Sequence, residues 1–286
     1  MIRKVITGWL FTISLVLICL NLKADNTPLK LGIDLSKEIY VVSEPIWLDM
    51  TLTNINQDTV RTFGPCIPCG DTKLQILNEK GDTLPYVGVK ADFAGSGHLM
   101  QSGEQIYNCH NILDYYGDRE DLIRFRLRPG TYSVQATYYG SKSGIISSQK
   151  TNFEVREPEG SEKEALRLLK NGYSAQITKE SDSAIENFET LIQKFPKSVY
   201  VETAYFYLAA SYQIYKGDTE KCRNVRIETL EKFPDSGYSR GIIAFLVRGK
   251  DSSQQKNIMI EITKEHPNTR AAKFAQKKLD KLEDEK

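Results

Sequence analysis

Three copies of a short knot constrain the C-terminal half of this chain more than any other feature. Phe195-Pro196-Lys197-Ser198 is followed by Phe233-Pro234-Asp235-Ser236 and by the weaker His266-Pro267-Asn268-Thr269. The prolines stand 38 and then 33 residues apart. Proline stops a helix because it has no N–H to donate and its ring collides with the preceding turn. A period in the mid-thirties is that of stacked helix pairs, none of which buries its apolar face alone. Such arrays hold partners more often than they perform chemistry.

Residues between the knots carry the same period. In the first unit Leu168, Gly172, Ala184, Phe188 and Pro196 fall at spacings of 4, 12, 4 and 8. Small residues at 172 and 184 let two antiparallel helices approach, and Phe188 fills the gap between them. The second unit keeps Leu208, Ala209, Tyr212 and Pro234 and sets Cys222 where Ala184 stood. Arg226 replaces the phenylalanine, with Val225 and Leu230 as the expected apolar contacts. In the third, Gln255 and Met259 take these two positions. That unit reads as a degenerate repeat or as a terminal cap with a polar outer face. These positions resemble the tetratricopeptide repeat. Phe-Pro-x-Ser followed by Val201-Glu202-Thr203-Ala204-Tyr205-Phe206-Tyr207-Leu208-Ala209 is similar to the repeats of cell-envelope members such as the Tol-Pal coordinator and outer-membrane assembly families. The resemblance spans Ser161 to Leu282. It implies a partner-binding scaffold in which the first helix of each unit lines the concave face. By that register Tyr173, Gln176, Tyr207, Ser211 and Arg240 are the partner-binding candidates, the tyrosines offering large area at low entropic cost.

The period shortens to two in the N-terminal half. Leu29, Leu31, Ile33 and Leu35 alternate with other residues, as do Ile46, Leu48, Met50 and Leu52. Each such strand has one buried face. Asn78-Glu79-Lys80-Gly81-Asp82 is a turn between Leu74–Leu77 and a return strand over Thr83–Val89. Arg128-Pro129-Gly130 is a second turn, before the alternating Tyr132–Tyr138, and Phe153-Glu154-Val155 closes the series. Six to eight short strands with frequent turns predict an antiparallel β-sandwich over residues 28–157. Ser43-Glu44-Pro45-Ile46-Trp47-Leu48, Ser102-Gly103-Glu104 and Leu127-Arg128-Pro129-Gly130-Thr131-Tyr132, in that order, resemble the immunoglobulin-like sandwiches of exported bacterial proteins. That likeness implies a binding or spacer domain. Arg156-Glu157-Pro158-Glu159-Gly160 is the linker. Ser161 and Glu164 have the spacing of a capping box, so a helical domain is expected over residues 161–286.

Residues 1–24 have the layout of a secretory signal peptide. Arg3 and Lys4 precede a mostly apolar run from Val5 to Leu20, and cleavage is expected after Ala24. The run is shorter than the ~20 residues of a spanning helix, which argues against an uncleaved anchor. A lipid anchor at Cys19 is disfavoured, since Ile18 stands where lipidation boxes carry Gly, Ala or Ser. The whole chain has 38 basic and 37 acidic residues; without its leader it has 35 and 37, a net charge of −2. That balance points away from nucleic acid and anionic lipid. The expected address is periplasmic or secreted, with no membrane span after leader removal and another envelope protein as partner.

Cys66-Ile67-Pro68-Cys69 is the sharpest chemical signal. In thiol–disulfide enzymes the first cysteine of such a motif begins a helix. Here it follows a strand and leads into Gly70-Asp71-Thr72-Lys73, which reads as a loop. Export favours a structural disulfide, and Cys66–Cys69, Cys66–Cys109 and Cys69–Cys109 are all open. His98 and His110 could complete a zinc set with these cysteines, although the spacing fits no zinc module. His98 reads instead as a loop residue, His266 as a half-buried packing residue and Cys222 as a buried small one. There is no phosphate loop, nucleophile elbow or His-Glu-x-x-His. The expectation is a non-catalytic scaffold with no metal and no cofactor. The alternatives are a thiol-redox or metal-binding protein using Cys66 and Cys69, and a protease inhibitor acting through a loop near Gly64–Asp71.

Overall fold

The computed structural model describes residues 28–91, 97–117, 127–140 and 144–284. The expected leader and Cys19 lie outside these residues. Ten strands precede seven α-helices among them: β1 (Leu29–Leu35), β2 (Ile39–Val41), β3 (Trp47–Asn54), β4 (Val60–Thr62), β5 (Thr72–Asn78), β6 (His98–Met100), β7 (Gln105–Asn111), β8 (Gly130–Tyr138), β9 (Ile146–Ser147) and β10 (Thr151–Arg156). The layout is a largely antiparallel sheet region and then helices. One sheet has the order β1-β3-β7 and a second the order β2-β10-β8-β5, with β9 on β8 and β4 paired to β6. Only the β2–β10 pair is parallel among these. Leu48, Met50 and Leu52 of β3 share one fully buried core with Ile76, Val134 and Phe153 of the other sheet.

Two local expectations need correction. Thr83–Val89 is not a strand. The turn before it forms, with Gly81 at φ 84° and its N–H on Asn78 O. The returning arm then makes only isolated bridges, Leu77 to Thr83 and Tyr86 to Tyr116. Pro85 interrupts it: without an N–H it cannot extend the ladder. Nor is Ser161–Glu164 a capping box. The helix does begin at Ser161, but Gly160 is its N-cap and no side chain caps it. The Glu164 carboxylate is forked by Arg167 instead.

The helices are α1 (Ser161–Ile177), α2 (Ser181–Lys194), α3 (Val201–Ser211), α4 (Thr219–Lys232), α5 (Ser239–Leu246), α6 (Ser252–Glu265) and α7 (Arg270–Asp284). A π-helical turn over Tyr212–Lys216 prolongs α3 to Gly217, which is left-handed at φ 62°. Helix α1 packs on α2, α2 on α3, α3 on α4, and α6 on α7. Phe188 is fully buried against the flat side of α1 at Gly172. Cys222 is fully buried as well, and Arg226 sits 4.0 Å over the Phe245 ring.

The three knots share one backbone conformation. Phe195 ends α2 at φ −127°, ψ 55°; Phe233 ends α4 at −132°, 59°; His266 ends α6 at −124°, 54°. In each, the Ser or Thr N–H returns to the carbonyl of the aromatic residue, Ser198 to Phe195, Ser236 to Phe233 and Thr269 to His266. His266 is half-buried.

Candidate functional site

Strand alternation points Leu48 and Met50 into the sheet core, and so sends Trp47 and Asp49 out of the other side. The knots cover them there. At the first, the Tyr200 hydroxyl donates to Val42 O at 2.7 Å. At the second, Trp47 meets Tyr238 edge to face with centroids 4.9 Å apart, and Tyr238 stacks on Phe206 at 4.1 Å. At the third, the Arg270 guanidinium forks the Asp49 carboxylate at 2.9 and 2.8 Å. Trp47 and Cys109 thereby join the apolar cluster of α5, α6 and α7.

A cleft of about 370 Å³ opens along this joint, lined by Lys37, Glu44, Trp47, Glu202, Asp235 and Arg270 among others. Glu202 is the buried acceptor at its floor. Its Oε1 receives the Trp47 indole N–H at 3.0 Å and the Ser236 hydroxyl at 2.6 Å. Burial raises its pKa above the ordinary carboxylate value, and those two hydrogen bonds offset only part of the rise. Burial also raises Glu44, against the pull of Lys37 and the Val41 N–H. Asp49 ends below the ordinary value. Burial pushes it up, but the hydrogen bonds from Arg270 and Tyr107 and the guanidinium charge together pull further down. Three ion pairs are already made here within the molecule: Lys37 with Glu44, Arg270 with Asp49, and Lys232 with Glu228. The cleft is therefore a joint between two parts of the chain.

The structure separates the five partner-binding candidates. Gln176, Tyr207 and Ser211 are buried, which corrects their outward reading. The Gln176 amide donates to Tyr207 O at 2.9 Å and to Ser211 Oγ at 2.6 Å, so these three staple α1 to α3. A polar residue at a helix–helix contact stays there when every donor finds an acceptor. Arg240 is exposed, but its Nη1 donates to Asn108 Oδ1 at 3.1 Å on β7. Tyr173 is half-buried, with its ring 5.1 Å from that of Tyr207. Beside it the structure reveals exposed apolar residues that the sequence reading passed over, Ile177 at 46% and Ile214 at 67%. They close α1 and α3 at the edge opposite the knots, where the Tyr215 hydroxyl donates to Gln176 O at 2.8 Å.

Among the cysteines, Cys66 and Cys69 bring their sulfurs within bonding distance, 2.13 Å. Cys109 is free and buried on β7, so neither pairing with Cys109 forms. Burial and the Asp49 charge push its thiol pKa up. Ile67, at the centre of the loop offered for protease inhibition, is buried in the sheet core. His98 opens β6, in place of the expected loop, and its Nε2 meets Glu104 at 2.5 Å. His110 is buried and held near pKa 4 by desolvation and the Arg240 charge. Among the described residues, no group of three His, Cys, Asp or Glu side chains is placed to hold a metal ion. No helix among them is long and apolar enough to cross a membrane.

The joint residues Trp47, Asp49, Glu202 and Arg270 escaped the sequence reading. One signal was available: a tryptophan on the polar side of an alternating strand asks for a cover. Gly237, inside the second knot, is the other half of that signal, because a Cβ there would fall 2.2 Å from the Trp47 ring.

No family model matches the chain, and none of the curated proteins compared with it matches. Solved structures similar to parts of it include the CARDB domain of a Pyrococcus furiosus protein in complex with di-metal ions, at 11% identity and TM-score 0.24 over 45% of this chain and 87% of that one. An alkylpurine DNA glycosylase from Pseudomonas fluorescens, bound to DNA containing an abasic site analog, follows at 14% identity and TM-score 0.28 over 46% and 31%. A β-glucosidase from Listeria innocua in complex with isofagomine follows at 13% and 0.26 over 46% and 16%. This chain thus spans less than a third of the two enzyme structures. The expectation of a non-catalytic protein is corrected by this comparison, because enzymes stand among the similar structures and catalysis is no longer excluded. TM-scores this low assign no particular activity to the chain.

Proposed function

We propose that this is an exported binding protein of the cell envelope, with an immunoglobulin-like β-sandwich and a tetratricopeptide-like helical array that engages another envelope protein. The carrying observation is the apolar edge of α1 and α3. Ile177 at the end of α1 and Ile214 in the turn after α3 are exposed, while the knot edge at the start of α3 is occupied by the chain's own sheet. Large apolar residues grouped on one exposed edge mark a contact surface more than singly scattered ones do. The knot period and the stacking of successive helices support the array. The two packed sheets with one shared core support the sandwich. The basic, apolar and small-residue order of residues 1–24 supports export.

A photo-crosslinking residue at position 214 of the leaderless chain is the test. It is expected to capture a discrete protein from an envelope extract. Ile177→Asp with Ile214→Asp should abolish capture from a crosslinker at 173 and leave the melting temperature unchanged, since exposed substitutions cost under about 0.5 kcal/mol. Equal capture from a crosslinker at the exposed Ile260 of α6, or undiminished capture by the double variant, rejects this surface.

A further inference from the structure

We propose that Cys66 and Cys69 form a reversible thiol–disulfide exchange site that opens and closes without unfolding the chain. The four cysteines of the described residues divide sharply. Cys109 and Cys222 are buried, whereas Cys66 and Cys69 are half-exposed on a surface loop, where an external thiol can reach them.

The loop does not need the sulfur–sulfur bond for its shape. The Cys66 N–H donates to Asp71 Oδ1 at 2.8 Å and to Thr72 Oγ1 at 3.1 Å. The Gly70 N–H closes the turn on Ile67 O at 3.1 Å, and Gly70 takes the φ of 83° that this turn requires. Asn108 Nδ2 clamps Pro65 O at 2.9 Å from β7, and the Ala91 N–H holds Pro68 O at 2.8 Å. Ile67 anchors the centre at 3% exposure. The ring itself encloses only the residues of one Cys-x-x-Cys. Loop-closure entropy grows with the number of residues enclosed, so this bond restricts the unfolded chain by only about 2 kcal/mol, less than a long-range bridge does. A disulfide that contributes modestly to the fold, and whose loop is held by other bonds, can be reduced with the surroundings intact.

Burial raises the pKa of Asp71, against the hydrogen bonds from the Cys66 N–H and the Thr72 hydroxyl that hold the loop. Its Oδ1 takes both of those bonds, and no described residue bonds its Oδ2. In the forward step an external thiolate attacks one cysteine sulfur, bonds to it and expels the other as a thiolate, which takes a proton. A second donor thiol then displaces the first cysteine and departs as the donor's disulfide. Two donor thiols lose two electrons, and the chain gains two thiols.

The test equilibrates the leaderless chain in buffers of graded reduced and oxidised glutathione, followed by acid quench, alkylation and mass measurement. The expected result is a reversible passage from no label to two labels, at Cys66 and Cys69, with the circular dichroism spectrum unchanged and the melting temperature lowered by no more than roughly ten degrees. Structural disulfides resist the glutathione range. A pair that stays oxidised in every buffer, or that opens only where the spectrum collapses, overturns the proposal.

Discussion

Single residues set the sign of several measurable effects. Alanine in a helix interior ordinarily outranks glycine by about 1 kcal/mol. At Gly172 the order reverses, because an added Cβ would lie 2.5 Å from the ring of the fully buried Phe188. Gly172→Ala is expected to lower stability by about 1–3 kcal/mol, the usual range for overpacking, read as a lower midpoint in denaturant. Asp49→Ala strands the Arg270 charge at 6% exposure and is expected to cost about 3–5 kcal/mol. Asp49→Leu combined with Arg270→Met should recover most of that loss, and a double-mutant cycle measures it. The two buried acids respond oppositely to pH. Asp49, lowered in the fold, contributes stability that is present above its ordinary pKa and lost as pH falls through the folded value. Glu202, raised in the fold, is most favourable below its ordinary pKa and loses ground as pH climbs through the folded value. Glu202→Gln should therefore gain on the wild type as pH rises from the carboxylate range toward neutrality, in melts taken across that window. A flat difference would contradict the raised pKa.

Elements show how much was legible beforehand and why. Strand β1 could be read because leucine and isoleucine alternate against a single covered face. Strand β7 could not: Tyr107 and Cys109 turn to the helices while Asn108 reaches Pro65 O and Arg240, so neither side carries an unbroken apolar row. The helix stops were legible because proline acts through its own backbone, whatever surrounds it. The caps were not, because a hydroxyl or carboxylate serves as a cap only if the turn places it there. Asp218 and Asp251 do so, each accepting the N–H three residues on, at 2.9 and 2.8 Å. Ser161 does not. Asp218→Ala is expected to cost about 1 kcal/mol and Ser161→Ala much less, a contrast that thermal denaturation resolves. Tyr173 is half-buried against Tyr207, and Gln176, Tyr207 and Ser211 are buried where an outward position was expected. A repeat register gives the helix but not the staple of hydrogen bonds that draws a polar side chain inward.

At the scale of the whole molecule the sheet and the helices are not two beads on a linker. Trp47 and Cys109 lie inside the apolar cluster of the last helices, and the knots bury charged groups of both regions together. A fragment of residues 161–286 would bare the Tyr238 ring and leave Arg270 without its carboxylate. It is expected to melt well below a chain of residues 25–286, by calorimetry on both; equal melting temperatures would show that the joint adds nothing. The three knots also seat in order on one stretch of backbone: Tyr200 at Val42, Tyr238 at Trp47 and Arg270 at Asp49. Repeat arrays elsewhere grow and shrink freely, since each unit meets only its neighbours. Here the stretch from Val42 to Asp49 works as a ruler with three marks. Inserting or deleting a helix pair would carry the later knots past their marks, so the sheet ties the spacing of the helices to its own.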